Sequence, residues 1–111
     1  MLIIPAIDIR GGKCVRLVQG DPERQTVYSD SPVDMALEFQ DAGARLIHVV
    51  DLDGAFEGRP VNHSIVAGMA RAVSVPIEIG GGVRTADAIR NYVDAGIVRV
   101  ILGTVLLQEQ S

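Results

Sequence analysis

Two stretches of this chain place glycine where a strand would hand over to a helix. One is Ile77-Glu78-Ile79-Gly80-Gly81-Gly82-Val83-Arg84-Thr85 and the other is Val100-Ile101-Leu102-Gly103-Thr104. A strand, a glycine turn and a helix start together form an anion site. The glycines let the backbone approach a ligand closely, and the helix end offers unpaired N–H groups and a partial positive charge. Two such junctions on consecutive βα units predict one phosphate gripped from two sides. Arg84 directly follows the glycine run, where its guanidinium could pair with a phosphate or carboxylate; the competing role is a surface ion pair with Asp87. Thr104 could add a hydroxyl to the phosphate, or only cap its helix. The run is not a G-x-G-x-x-G fingerprint and the chain holds no G-x-x-x-x-G-K-[ST], which excludes the dinucleotide and P-loop readings.

Ligands of parallel α/β sheets and βα barrels sit at the carboxyl ends of the strands. Asp8, Asp51, Gly80 to Gly82 and Gly103-Thr104 all fall at such ends. Asp8 closes the apolar run Ile4-Pro5-Ala6-Ile7, and a carboxylate at the mouth of an apolar strand tends towards a raised pKa that suits acid–base work. It could equally cap the turn before Gly11-Gly12 or pair with Arg10. Asp51 and Asp53 flank Leu52, and are expected to act structurally, one capping the loop and the other pairing with Arg or Lys across the rim. His48 lies inside a strand and reads as a packed histidine, and His63 in a helix's first turn reads as solvent-exposed. With one cysteine and two separated histidines, no zinc site is expected.

The elements that must carry these groups follow from composition and period. The chain has 111 residues, 48% hydrophobic but only 4% aromatic, which suits one domain with an aliphatic core. That bias fits parallel strands buried on both faces. The net charge of −4 argues against a nucleic-acid or membrane surface. Cys14 reads as a buried structural thiol. The start Met-Leu-Ile-Ile-Pro resembles neither a signal peptide nor a membrane span, so a cytoplasmic location is expected.

Leu2 to Ile7 reads as a strand, Cys14 to Val18 as a short hairpin arm, and residues 19 to 30 as a long loop. Ser31-Pro32 starts a helix that Gly43 stops. Leu46 to Val50 is the next strand and Leu52 to Pro60 a second loop. Asn62 to Ala72 is a helix and Val75 to Ile79 a strand. Thr85 caps a helix with the apolar stripe Ala86, Ile89, Tyr92 and Val93, stopped by Gly96. Val98 to Leu102 is the last strand, and Thr104 to Ser111 begins something helical. The segment Asp41-Ala42-Gly43 up to Val50 echoes Asp94-Ala95-Gly96 up to Gly103. That similarity fits either a true repeat or two ordinary helix–Gly–strand junctions. Alternation with short links predicts right-handed parallel βαβ units in a single domain spanning 1–111 with no internal boundary.

The segments Ile4-Pro5-Ala6-Ile7-Asp8, Gly11-Gly12-Lys13-Cys14-Val15-Arg16-Leu17, His48-Val49-Val50-Asp51-Leu52-Asp53-Gly54-Ala55 and Glu78-Ile79-Gly80-Gly81-Gly82-Val83-Arg84 resemble the N-terminal half of the phosphoribosylformimino-5-aminoimidazole carboxamide ribotide isomerases, the Amadori isomerases of histidine biosynthesis. The resemblance runs over essentially the whole chain, and favours the isomerases over their sister family, the cyclase subunit of imidazole glycerol phosphate synthase. It implies an α/β fold, a parallel (βα)4 half of a TIM-type (βα)8 barrel. It also implies a sugar-phosphate substrate with two phosphates, turned from aminoaldose to aminoketose. Asp8 matches the family's catalytic carboxylate on the first strand. Gly81, Gly82, Gly103 and Thr104 match one phosphate site, and Arg84 matches a substrate-contacting arginine. The family uses no metal or organic cofactor.

A whole eight-unit barrel needs roughly 250 residues. The family's second catalytic Asp and second phosphate site therefore lie beyond Ser111, and the chain alone is expected to be a poor isomerase. Four parallel strands leave two open edges and an apolar interior, so a homodimer or association with a second half-barrel is expected. Two other functions fit the same residues: a non-catalytic, self-associating phosphate-binding module, and a dual-substrate isomerase that also acts in tryptophan biosynthesis.

Overall fold

The computed structural model describes residues 4–18 and 21–102. Six strands form one mixed sheet: β1 (Ala6–Arg10), β2 (Lys13–Val18), β3 (Asp21–Ser29), β4 (Ile47–Asp51), β5 (Ile77–Gly80) and β6 (Arg99–Ile101). Four helices link them: α1 (Pro32–Asp41), α2 (Leu52–Glu57), α3 (His63–Ala72) and α4 (Ala86–Asp94). The sheet order is β3-β2-β1-β4-β5-β6. β1, β4, β5 and β6 run parallel in sequence order, and β2 and β3 form an antiparallel arm on the far side of β1. The four parallel strands with their connecting helices are the expected half-barrel, with the arm added at its edge.

Local chemistry explains the helix limits. The Ser31 hydroxyl accepts from the Asp34 N–H at 3.1 Å, and Pro32 fills the first helical position, where no N–H partner is needed. Thr85 caps α4 in the same way, accepting from Ala88 N–H at 3.1 Å. Gly43 (φ 98°) and Gly96 (φ 100°) follow the ends of α1 and α4 in a backbone conformation that other residues rarely adopt.

One sheet face is dry. Ile7 and Ile9 on β1, Ile47 and Val49 on β4, and Ile77 and Ile79 on β5 are buried against Ala36, Val66, Met69, Ala88 and Tyr92 of the helices. The period-2 alternation of strands then sends Ala6, Asp8, His48, Val50, Glu78 and Arg99 to the opposite face. No helix among the described elements covers that face, and Ile101 on it is 40% exposed. The expectation of strands buried on both faces therefore holds for one face only: large aliphatic residues occupy one set of alternate positions, and the other set mixes Asp8, His48, Glu78 and Arg99 with Ala6, Val50, Gly80 and Ile101.

Three expected boundaries differ. β1 continues to Arg10, so Asp8 lies within a strand rather than at its end, because β2 pairs with Asp8, Ile9 and Arg10 and extends it. The stretch read as a long loop holds β3, paired to β2 with register shifts. An edge strand with both faces wet needs no apolar alternation, and its second residue, Pro22, is tolerated there. The stretch read as a loop after Leu52 opens with helix α2, capped by the Asp51 side chain and closed by Gly58 in the left-handed conformation (φ 77°). The helical start expected at Thr104 to Ser111 lies outside the described residues.

Candidate active site

Asp8 sits half-buried on the open sheet face, between Val15 of β2 and Val50 of β4 in register. Burial pushes its carboxyl above the usual carboxylate value, while the charges of His48 and Arg16 pull it back down. The guanidinium of Arg10 touches Gln25 Oε1 at 3.2 Å and lies 5.3 Å from the Phe56 ring centre.

The glycine turn lies at the same end of the sheet. Gly81 (φ 107°) and Gly82 (φ 80°) have backbone conformations that side chains disfavour. Space forbids a side chain as well. A Cβ on Gly81 would run into the Asp51 carbonyl, and one on Gly82 would lie 2.6 Å from the Arg59 carbonyl. The turn is thus pressed against the start of α2 and the strand-end loop of β4. Gly81, Gly82, Val83 and Arg84 line a small open pocket together with Ala55, Ile101 and Leu102. Leu102 is the residue before Gly103, so the pocket joins the first glycine junction to the threshold of the second. Gly103 and Thr104 themselves lie outside the described residues. The Arg84 guanidinium lies over Gly58, 2.9 Å from where a Cβ there would stand. The alternative partner considered for it, Asp87, pairs instead with Arg90 at 3.4 Å.

Asp51 holds this assembly together. It is fully buried, and both its oxygens accept. Oδ1 takes Gly54 N–H and the Asn62 side-chain amide, each at 2.8 Å, and Oδ2 takes the Val61 and Asn62 N–H groups, each at 2.9 Å. One carboxylate therefore fixes the start of α2, the approach to α3 and the strand end against which Gly81 packs. The capping role expected from sequence is the one found. Asp53 takes a structural role as expected, but through a different set of partners from the one foreseen: its Oδ2 accepts Gly11 N–H at 2.7 Å and the Asn62 amide at 2.9 Å. That bond ties the turn after β1 to the loop after β4. Sequence reasoning missed Asn62, whose polar side chain is buried because two carboxylates need its amide. The signal was present in its place at the very start of the expected helix, where Asn is a common cap.

His63 is not solvent-exposed: its ring lies 4.8 Å from that of Tyr92, with Nε2 buried. Burial, and secondarily the Asp51 charge, push the Tyr92 hydroxyl well above its ordinary value. His48 and Glu78 share the open face below Asp8, 2.8 Å apart. Among the described residues no cluster of three or more His, Cys, Asp or Glu could hold a metal ion. No described helix is long and apolar enough to cross a membrane.

Gly81→Ala tests the crowding. It combines a disfavoured φ with a collision against backbone, and is expected to cost about 3 kcal/mol and to remove phosphate binding. Gly43→Ala shares the positive φ but meets nothing within 4 Å, and is expected to cost about 1 kcal/mol with phosphate binding intact. Urea denaturation with and without phosphate separates the two.

Known proteins bear on this geometry. A protein of Syntrophobacter fumaroxidans named 1-(5-phosphoribosyl)-5-((5-phosphoribosylamino)methylideneamino) imidazole-4-carboxamide isomerase is 53% identical over 109 residues, covering 98% of this chain and 43% of that protein. Its namesakes in Syntrophus aciditrophicus and Hahella chejuensis are 54% and 56% identical, with 46% and 45% of their lengths covered. The chain thus spans less than half the length of these curated relatives. Among solved structures, the wild-type GGGPS of Thermoplasma volcanium is similar with a TM-score of 0.67 at 18% identity, over 94% of this chain and 41% of that one. The (S)-3-O-geranylgeranylglyceryl phosphate synthase of Thermoplasma acidophilum, solved with sn-glycerol-1-phosphate, gives 0.53 at 23% identity over 66% of this chain and 29% of that one. At such identities these two carry the fold alone. The family model described as histidine biosynthesis protein matches residues 2–111, and this chain belongs to that family.

Proposed function

We propose that the chain supplies half of an aldose–ketose isomerase of histidine biosynthesis, acting on a sugar phosphate as its relatives' names indicate. The observation that carries this reading is that Asp8 and the Gly81–Gly82–Arg84 pocket stand at the same end of one parallel sheet. The glycine turn and Arg84 hold one phosphate, with Gly103 and Thr104 completing the grip. The reaction opens the ribose ring and moves a proton from C2, which calls for an acid and a base on opposite sides of the substrate. Asp8 is one of the pair. A half-buried carboxylate is a stronger base than an exposed one, and it still ionises with Arg16 and His48 nearby. The second group comes from a second half, either another copy of this chain or a separate half-barrel. We place the protein in the cytoplasm, where this biosynthesis would supply its substrate.

The sheet limits how a second half can join. β2 already occupies the outer edge of β1 at Asp8, Ile9 and Arg10. A closing strand must therefore pair with β1 before Asp8 and with β6 at the other edge, where Val98 is 64% exposed. The test is turnover of the aminoaldose by the 111-residue chain alone and mixed with a separately produced C-terminal half, alongside its solution mass. Little or no turnover alone and restored turnover in the mixture are expected. Full turnover by a monomeric chain would overturn the need for a second half, and phosphate binding without turnover in any mixture would favour the non-catalytic module.

A further inference from the structure

We propose that His48, gripped through its ring Nδ1 by Glu78 with Arg99 behind it, is a positioning residue that controls the charge of Asp8. The functional meaning of this control rests on the isomerase reading above; the coupling itself does not.

The argument begins with register. Ala6, His48, Glu78 and Arg99 are cross-strand neighbours on β1, β4, β5 and β6, and form one row across the open face. Asp8, Val50, Gly80 and Ile101 form the next row. His48 is thus the diagonal neighbour of Asp8 on the adjacent parallel strand. The inner rows of a βα barrel are usually filled with Val, Ile and Leu. Here the row beneath Asp8 holds three polar side chains, with Glu78 in contact with the other two. Glu78 Oε1 lies 2.8 Å from His48 Nδ1, and Glu78 Oε2 lies 3.2 Å from Arg99 Nη1.

Glu78 is only 12% exposed, and such a carboxylate needs compensation for lost hydration. Arg99 supplies charge and His48 a donor. An ionised carboxylate can only accept, so the hydrogen sits on His48 Nδ1, and Nε2 is the nitrogen left to gain or lose a proton. Glu78 thereby fixes the ring's tautomer and orientation, and Arg99 fixes Glu78.

The surroundings of Asp8 leave His48 as the adjustable influence. Arg10 stands on the same strand and Arg16 on β2, and both keep their charge. Tyr28 on β3 is raised above its ordinary value, mainly by burial. Asp53 of α2, which also packs on β1, is engaged by Gly11 N–H and Asn62. β5 contributes only Gly80 to the Asp8 row. A positive charge on His48 favours the ionised form of Asp8.

The test is a 13C-NMR titration of the Asp8 carboxyl in the 111-residue chain, read beside the His48 ring. The parent should show two inflections at Asp8, its own and a second one at the pH where His48 titrates. His48→Gln should erase the second inflection and move the first upward. A parent Asp8 that does not respond as His48 titrates overturns the proposal, and needs no variant to fold. Both inflections with no turnover in the completed barrel would leave the coupling standing and sink the isomerase reading. Turnover with an unresponsive Asp8 would do the reverse.

Discussion

Asp8→Asn is expected to lower turnover of the completed barrel by about 10²–10⁴-fold, the usual contribution of a positioned acid–base group, while phosphate binding stays unchanged. Asp8 is not among the residues that line the glycine pocket, so the two readouts separate chemistry from binding. The same substitution should stabilise the fold at neutral pH. Burial raises the carboxyl above the usual carboxylate value, so the folded chain holds that proton more tightly than the unfolded chain does. Between the unfolded and folded pKa values the native state binds more protons, and stability falls as pH rises through that window. Above it the parent carries the full cost of a desolvated carboxylate, and asparagine carries none. Thermal melts should show the variant above the parent at pH 7 and the difference closing below about pH 4. A variant less stable than the parent at pH 7 would mean that Asp8 is held by bonds rather than strained by burial, which is the capping role that sequence alone left open.

The parallel frame was legible because each of its signals was local. Ser31 and Thr85 announce helix starts, Gly43 and Gly96 announce ends, and the apolar runs between them have strand length. The glycine turn was legible because the residue type itself reports a backbone need. Less visible was what depends on distant pairing. β3 is mostly polar and carries no apolar alternation, and its pairing with β2 makes it a strand. Asp8 moved inside β1 for the same reason. His48, read as simply packed, proved to face Glu78 thirty residues on; the alternation of Ile77 and Ile79 already put Glu78 on the other face, but register, which sequence does not carry, brought the two together. His63 looked exposed because a first-turn position usually is, and Tyr92 from α4 covers it.

Removing the Asp51 carboxylate should be the most damaging single change to the fold. Asp51→Ala leaves Gly54, Val61 and Asn62 N–H groups and the Asn62 amide without their acceptor in a buried place, and about 4 kcal/mol of stability should be lost. Against the 5–15 kcal/mol that holds a typical domain together, that loss leaves little. Asp51→Asn is the sharper variant. All four partners are donors, two on each oxygen, so either orientation of the amide turns an NH2 towards two N–H groups. It should therefore approach the alanine variant, although it keeps shape and size. Denaturant midpoints measure the loss, and amide exchange at Gly54, Val61 and Asn62 locates it. Phosphate binding should weaken in parallel, because the Gly81 turn packs directly on the Asp51 backbone. An asparagine variant with parental stability would show that shape rather than charge holds the loops, and the anion site would then owe its geometry to the glycine contacts alone.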